Sequence, residues 1–371
     1  MKHLSEAEVR AERKTQSPSL NVKTLLVLAL TALSTQAVAQ EVVRVHNWAD
    51  YIDPAVVQDF ERETGIQVDY STYTSAAQLE NDLDSGERFD VIVPSDLQLE
   101  RLIKENRLAP LDFRELPNRK EISRELLLRL NSRINADLYA VPYMWGTVGL
   151  VVHEREASRA LKAPVPNSWS VLFDPSNVDK LRSCGVMLQN EPEHSLFLYL
   201  TYKGKNLKTS SARSINKAVR EIRSLQLADS PQPFTAFVSQ LADGKVCAAM
   251  AWNGLASLAN ENDELRFTIP QEGSLQFIDS LAIPGNASNV PAAYRFIDFM
   301  LKPENAVRNA RASHFLPSLD LDRDGNRRLL PELAVPTQDE RRRLYLGQPL
   351  SDDERRTIEA AWAEPGADHQ D

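Results

Sequence analysis

The sequence predicts an α/β protein built on a parallel sheet with helices on both faces. Three observations carry this expectation. Strand-like and helix-like segments alternate from Val42 onward, a short apolar run at Phe89–Val93 reads as a fully buried strand, and capping residues stand where helices should start and stop.

Taken in order, Val42–Val45 (VVRV) reads as the first strand. Asp53-Pro54 opens a helix, with Asp as N-cap and Pro at the first helical position. Val56, Val57 and Phe60 give that helix an apolar face, and Gly65 ends it. Ile66–Tyr70 alternates as a second strand, Ser75 starts a helix carrying Leu79 and Leu83 before Gly86, and Leu99, Leu102 and Ile103 mark a third. A second αβ region runs from about Gly146 to Asp263. It contains the Pro-rich connection Ala163–Pro166, the helical stretch Ser214–Leu225 and the strand-like Val246–Trp252. Leu265–Pro270 and Phe277–Pro284 return as strands, Pro291–Leu301 has helical spacing, and the charged tail from Pro331 ends in a helix over Asp353–Trp362.

The chain has 371 residues, 42% hydrophobic and 26% charged, with a net charge of −9. This composition excludes a disordered or collagen-like chain, and the acidity argues against a nucleic-acid binder, which needs a basic face. The ten-residue apolar run Thr24–Leu33 follows Lys23 and precedes Ala37-Val38-Ala39. It is too short to span a bilayer and reads as a secretory signal peptide cleaved before Gln40. The polar stretch Met1–Asn21 is long for the start of such a signal and reads as an over-extended N-terminus. Residues 1–39 hold five basic and three acidic side chains, so the mature chain carries 38 against 49, a net −11. An oxidising compartment makes Cys184–Cys247 a candidate disulfide, closing a loop of 64 residues and contributing ~4 kcal/mol. Two buried free thiols are the alternative.

In a parallel sheet, ligands bind at the carboxyl ends of the strands. Two predicted loops lie there: Asn47–Asp53, with Trp48, Asp50 and Tyr51, and Pro94–Leu97, with Ser95 and Asp96. Helix N-termini facing this crevice favour anions, so a cation would need these carboxylates to reverse the field. No G-x-S-x-G, H-E-x-x-H or Walker sequence is present, and the six histidines lack metal-ligand spacing.

The runs HNWADYIDPAVVQDFERETGIQVDY, FDVIVPS, VPYMWGTVGL, SCGV…EPE, VCAAMAWNG and IPQEG…FIDSLAIP resemble the periplasmic polyamine-binding proteins of bacterial ABC importers, closest to the putrescine-binding branch. The resemblance spans residues 42–362. It implies a two-lobed type II periplasmic binding fold, with lobe 1 over 41–145 and 268–319, lobe 2 over 146–267, and a C-terminal helical segment over 320–371 packing on the lobes, its last residues disordered. The chain would cross between lobes near Tyr143–Thr147 and near Phe267–Ile269. The implied ligand contacts are Trp48, Asp50, Tyr51, Ser95, Glu193, Trp252, Phe277 and Asp279, with Asp96 a further candidate. Carboxylates would neutralise an ammonium, and flat rings would cover a methylene spine and add cation–π attraction.

Two positions depart from the family pattern. Leu255 stands where an aspartate is expected and Leu316 where a tyrosine is expected. Without that aspartate, either Glu193 together with Asp96 serves the far ammonium of a diamine, or the ligand has one amine and one less polar end, which tolerates Leu255 better. Several candidates also have plain structural readings. Asp53 reads as a helix cap, Asp96 as the cap of a helix starting at Leu97, Glu193 as a first-turn residue, and Phe277 as core. Trp145 and Trp169 read as structural, and Trp362 as the anchor of the tail helix. The resemblance implies a monomeric, non-enzymatic transport component without cofactor or metal, whose partners are a small cationic amine and an inner-membrane permease. A sensory amine-binding protein and a periplasmic enzyme on the same fold are the rival readings.

Overall fold

The computed structural model describes residues 40–132, 135–189, 191–205, 210–229, 234–259, 264–323, 326–329 and 335–363. The predicted signal segment and the terminal residues expected to be disordered lie outside these.

β1 (Val42–Trp48) leads into α1 (Pro54–Thr64), β2 (Gln67–Tyr73), α2 (Ala76–Asp84), β3 (Val91–Ile92) and α3 (Asp96–Lys104). The capping reading of α1 holds: the Asp53 carboxylate accepts from the Ala55 N–H, Pro54 occupies the first turn, and Gly65 closes the helix at φ +72°. Val56 and Phe60 are the buried residues of α1, and Phe60 meets Phe296 and Phe299 edge-on at 5.3 and 5.4 Å. Ser75 caps α2. The expected strand over Phe89–Val93 shortens to two residues. The Asp90 carboxylate accepts from the backbone N–H groups of Arg44 on β1 and of Ser288 and Asn289, so at Asp90 a side-chain oxygen takes the Arg44 N–H that a regular ladder would give to a backbone carbonyl.

β4 (Ala140–His153) is the axis of the molecule, with all fourteen residues buried. Its first part pairs antiparallel with β9 (Ser274–Ala282) from Ala140 to Thr147. Its second part pairs with β7 (Ala248–Trp252) from Val148 onward and with β8 (Leu265–Thr268). Two sheets therefore share one strand. The first runs β2-β1-β3-β9-β4, with β1 parallel to both β2 and β3. The second continues from β4 through β7 and β5 (Val186–Leu188) to β6 (Ala228–Asp229), the last three mutually parallel.

Helices cover both. α4 (Pro192–Tyr202), α5 (Ala212–Ser224), α6 (Phe234–Ala242) and α7 (Asn253–Ala259) belong to the second sheet, and α8 (Val290–Met300) and α9 (Pro303–Ser313) to the first. After α9, β10 (Leu316–Pro317) joins β4, and β11 (Leu344–Leu346) runs parallel to the start of β9. The tail is thus not only helical: it adds a strand to the first sheet, then docks α10 (Asp352–Ala363) on the second-sheet core through Ile358 and Trp362. Trp145 and Trp169 are buried, and their indole N–H groups donate to Pro317 O and Gly273 O. Cys184 and Cys247 form a disulfide.

Candidate functional site

The loop after β1 builds the first half of the site. Asp50 takes a left-handed conformation (φ 57°) and is exposed, and this turn folds the next residue back into the protein. Tyr51 is buried as a result, and its hydroxyl donates to Asp279 Oδ2 at 2.6 Å. Tyr143, at the irregularity where β4 slips register against β9, donates to the Tyr51 carbonyl at 2.9 Å and fixes the turn. Trp48 donates to Val93 O at 3.0 Å and lies against Tyr73, centroids 4.5 Å apart. With its N–H tied to backbone, only its ring remains for a ligand.

Asp279 sits on β9, 5% exposed. Burial pushes its carboxyl up to about 8; the Tyr51 hydrogen bond opposes that rise and the negative charge of Asp96 adds to it. Burial and Asp279 together hold the Tyr51 phenol well above its usual range. Asp96 opens α3, is 3% exposed, and accepts from the Ile278 N–H at 3.3 Å. It therefore braces β9 as well as starting the helix. Ser95, not Asp96, is the N-cap of α3, because the helix starts one residue earlier than expected; the Ser95 N–H and hydroxyl are both directed to Gln98 Oε1 at 3.2 and 3.4 Å.

A row of rings joins the two sheets. Tyr51 lies 5.4 Å from Phe315, Phe315 lies 5.5 Å from Phe277, and Phe277 lies 6.4 Å from Trp252, all tilted or edge-on. Two glycines admit these rings. A Cβ on Gly146 would run into the Phe277 ring and come within 2.5 Å of Asn253 Oδ1, and one on Gly254 would stand 2.8 Å from Phe315. Asn253 Oδ1 accepts from the Thr147 N–H at 2.9 Å, where β4 changes sheet.

On the second-sheet side, Glu193 lies in the first turn of α4, its Oε1 3.5 Å from Arg355 Nε of the tail helix. Burial raises its carboxyl, Arg355 opposes the rise and Glu359 adds to it. Its neighbour Glu191 is pushed up to about 7 by burial and by the charge of Glu193. His194 is lowered to about 4 by burial, and its ring lies 6.5 Å from Trp252.

The structure thus connects Tyr51, Asp96, Asp279, Phe277 and Trp252, and places Ser95 next to Asp96. It does not bring Leu316 to them. That side chain is fully buried in the first-sheet core, because Leu316 pairs with Trp145 and strand alternation turns Phe315 to the site instead. Leu255 is 8% exposed and packs in the apolar cluster of Phe237, Leu241, Ala256 and Ala259. Phe315 and Glu191 were missed from sequence. The left-handed His314 before Phe315, which ends α9, depends on a backbone turn that local residue types do not announce.

A model of bacterial extracellular solute-binding proteins matches residues 55–320. The chain belongs to that family. It is 34% identical over 295 residues to the putrescine-binding periplasmic protein SpuD of Pseudomonas aeruginosa, covering 76% of this chain and 80% of the relative. To the putrescine-binding periplasmic protein PotF of Escherichia coli it is 35% identical over 294 residues, covering 76% and 79%. Among solved structures, the spermidine/putrescine ABC transporter substrate-binding protein PotD of Streptococcus pneumoniae superimposes with a TM-score of 0.71 at 24% identity, covering 87% of this chain and 97% of that one. The architecture is therefore the two-lobed periplasmic binding protein fold, with β4 passing between the sheets.

Proposed function

We propose that this family member is the substrate-binding protein of an ABC importer and takes a polyamine-class amine between its two sheets. The observation that carries the reading is the buried Asp279, hydrogen-bonded to Tyr51, near the charge of Asp96, and flanked by rings from both sheets. A carboxylate in that setting has no cationic partner among the described residues. An ammonium supplies one and donates hydrogen bonds, while Phe277, Phe315, Trp252 and Trp48 cover the methylenes and contribute ~0.5–2 kcal/mol per cation–π contact.

In this reading Asp279 and Tyr51 receive the first ammonium, Asp96 and Ser95 hold the surrounding backbone, and Asp50 guides entry from the rim. Binding draws the sheets together, no bond in the ligand is changed, and the closed form is what an inner-membrane permease recognises. The mature chain works in the periplasm after loss of residues 1–39. A thermal-shift panel of putrescine, cadaverine, spermidine, agmatine and 4-aminobutyrate tests the reading. A ligand at 100 times its Kd stabilises by about 2.7 kcal/mol. A melting temperature unmoved by every amine refutes it.

A further inference from the structure

The carboxyl end of β5 carries a group that the amine reading leaves unused. Gln189 follows β5 directly and is fully buried, yet neither its Nε2 nor its Oε1 has a hydrogen-bond partner among the described residues. A buried carboxamide left unsatisfied is costly, so its donor and its acceptor both require a complement. Strand alternation places Gln189 on the face of Met187, not that of Val186 and Leu188. Met187 packs in the cluster that contains Ala251 and Leu255, with Trp252 at its edge. The parallel register pairs Met187 with Ala249, and continuing it sets Gln189 beside Ala251, one residue before Trp252, whose ring packs at the edge of both second-sheet clusters. His194 contributes a second buried atom, Nδ1, without a partner among the described residues, on a ring 6.5 Å from Trp252.

The charges here are unlike those at Asp279. Leu255 is apolar, Glu193 already faces Arg355, and Glu191, pushed up to about 7 by burial and by the charge of Glu193, carries only a partial charge at neutral pH. Resting on the amine reading above, we infer that the second-sheet end of the site receives a neutral amide rather than a second ammonium, so that the ligand class is a mono-N-acylated diamine. Its free ammonium meets Asp279 and its amide pairs with Gln189. A secondary amide offers one N–H and one C=O, the complement of the Gln189 carbonyl and NH₂. An ammonium offers donors only and would leave Gln189 Nε2 unsatisfied. Imidazole kept neutral by burial accepts or donates a further hydrogen bond to the amide without repelling it.

Isothermal titration of the purified protein with putrescine, N-acetylputrescine and N,N′-diacetylputrescine tests this. The expected order is N-acetylputrescine first, about tenfold or more tighter than putrescine, with the diacetyl compound weakest because it lacks the ammonium. Gln189→Leu, of similar volume and apolar, keeps the fold and removes the preference for the acetylated ligand. Gln189→Glu reverses it toward putrescine. Tighter binding of putrescine by the unmodified protein overturns the inference while leaving the amine reading intact. An acetyl preference that survives Gln189→Leu overturns the role of Gln189. No heat with any of the three, nor a melting shift with any amine, overturns the amine reading itself.

Discussion

Replacing Asp279 with asparagine isolates the electrostatic cost of the unliganded site. The substitution keeps the shape and an acceptor for the Tyr51 hydroxyl but removes the ionisable proton. In the folded apo protein the carboxyl titrates near 8, against 3.8 when unfolded. Between these values the native state holds a proton that the unfolded chain has released. Stability from this group is therefore fully present below pH 4 and is lost as pH rises toward 8. Each pH unit in that window costs the fold about 1.4 kcal/mol, or on the order of 4 kcal/mol by pH 7 as an upper bound. Asp279→Asn should make the apo protein more stable than the parent at pH 7, by an amount that shrinks toward zero at pH 4, and should abolish amine-induced stabilisation. Urea denaturation of both proteins at pH 4.5, 6, 7 and 8 measures the difference directly. Glu191 titrates in both and cancels. A stability difference that does not change with pH, or a destabilised variant at pH 7, would refute the account of Asp279 as a buried, destabilised acid.

An ammonium that pairs with ionised Asp279 expels its proton, so amine binding below pH 8 should release close to one proton, and affinity should rise with pH up to about 8. Titration calorimetry in buffers of different ionisation enthalpy reads this. Tyr51→Phe removes the 2.6 Å hydrogen bond to Asp279 and should weaken amine binding by about 1–2 kcal/mol. Gly146→Ala drives a methyl group into Phe277 and should cost about 1–3 kcal/mol of stability together with most of the amine affinity. Phe315→Ala should lower amine affinity by about 1 kcal/mol, whereas Leu316→Tyr should lower the melting temperature without a specific effect on binding. Replacing both Cys184 and Cys247 by serine should cost about 2–5 kcal/mol in denaturation experiments.

What was legible in the sequence was mostly local. Asp53, Pro54 and Gly65 delimit α1 because capping chemistry acts within a few residues. The strand–helix alternation predicted a parallel sheet, and β1 is parallel to both neighbours. However, β9 joins β3 and β4 antiparallel and β4 joins β7 antiparallel, so both sheets are mixed. The reason is that β4 and β9 pair across a long stretch of sequence that local alternation does not show. The disulfide followed from the compartment implied by the N-terminus rather than from any geometric signal. The failures are nonlocal. Whether Phe315 or Leu316 faces the site is set by the pairing of Leu316 with Trp145 on a distant strand, and one residue of register exchanges their faces. The pairing of Glu193 with Arg355 depends on where the tail helix lands. Gln189 lies between the SCGV and EPE runs, where no residue type signals a role, and only burial without a partner among the described residues distinguishes it.

Tyr51 and Asp279 are 228 positions apart, brought together by the return of β9 between β3 and β4. This topology decides how the site works. β9 carries Asp279 and Phe277 into the first sheet, while β4, its neighbour, continues into the second sheet, whose β7 ends at Trp252. Movement between the sheets must therefore bend β4 near Thr147, where Asn253 already clips the backbone. In the proposed function, a bound cation removes the burial penalty of Asp279, and the rings that would cover it come from both sides of that bend. On the proposed reading, binding at this one carboxylate is coupled to movement about that bend, because Phe277 and Trp252, 6.4 Å apart here, meet the ligand from the two sheets.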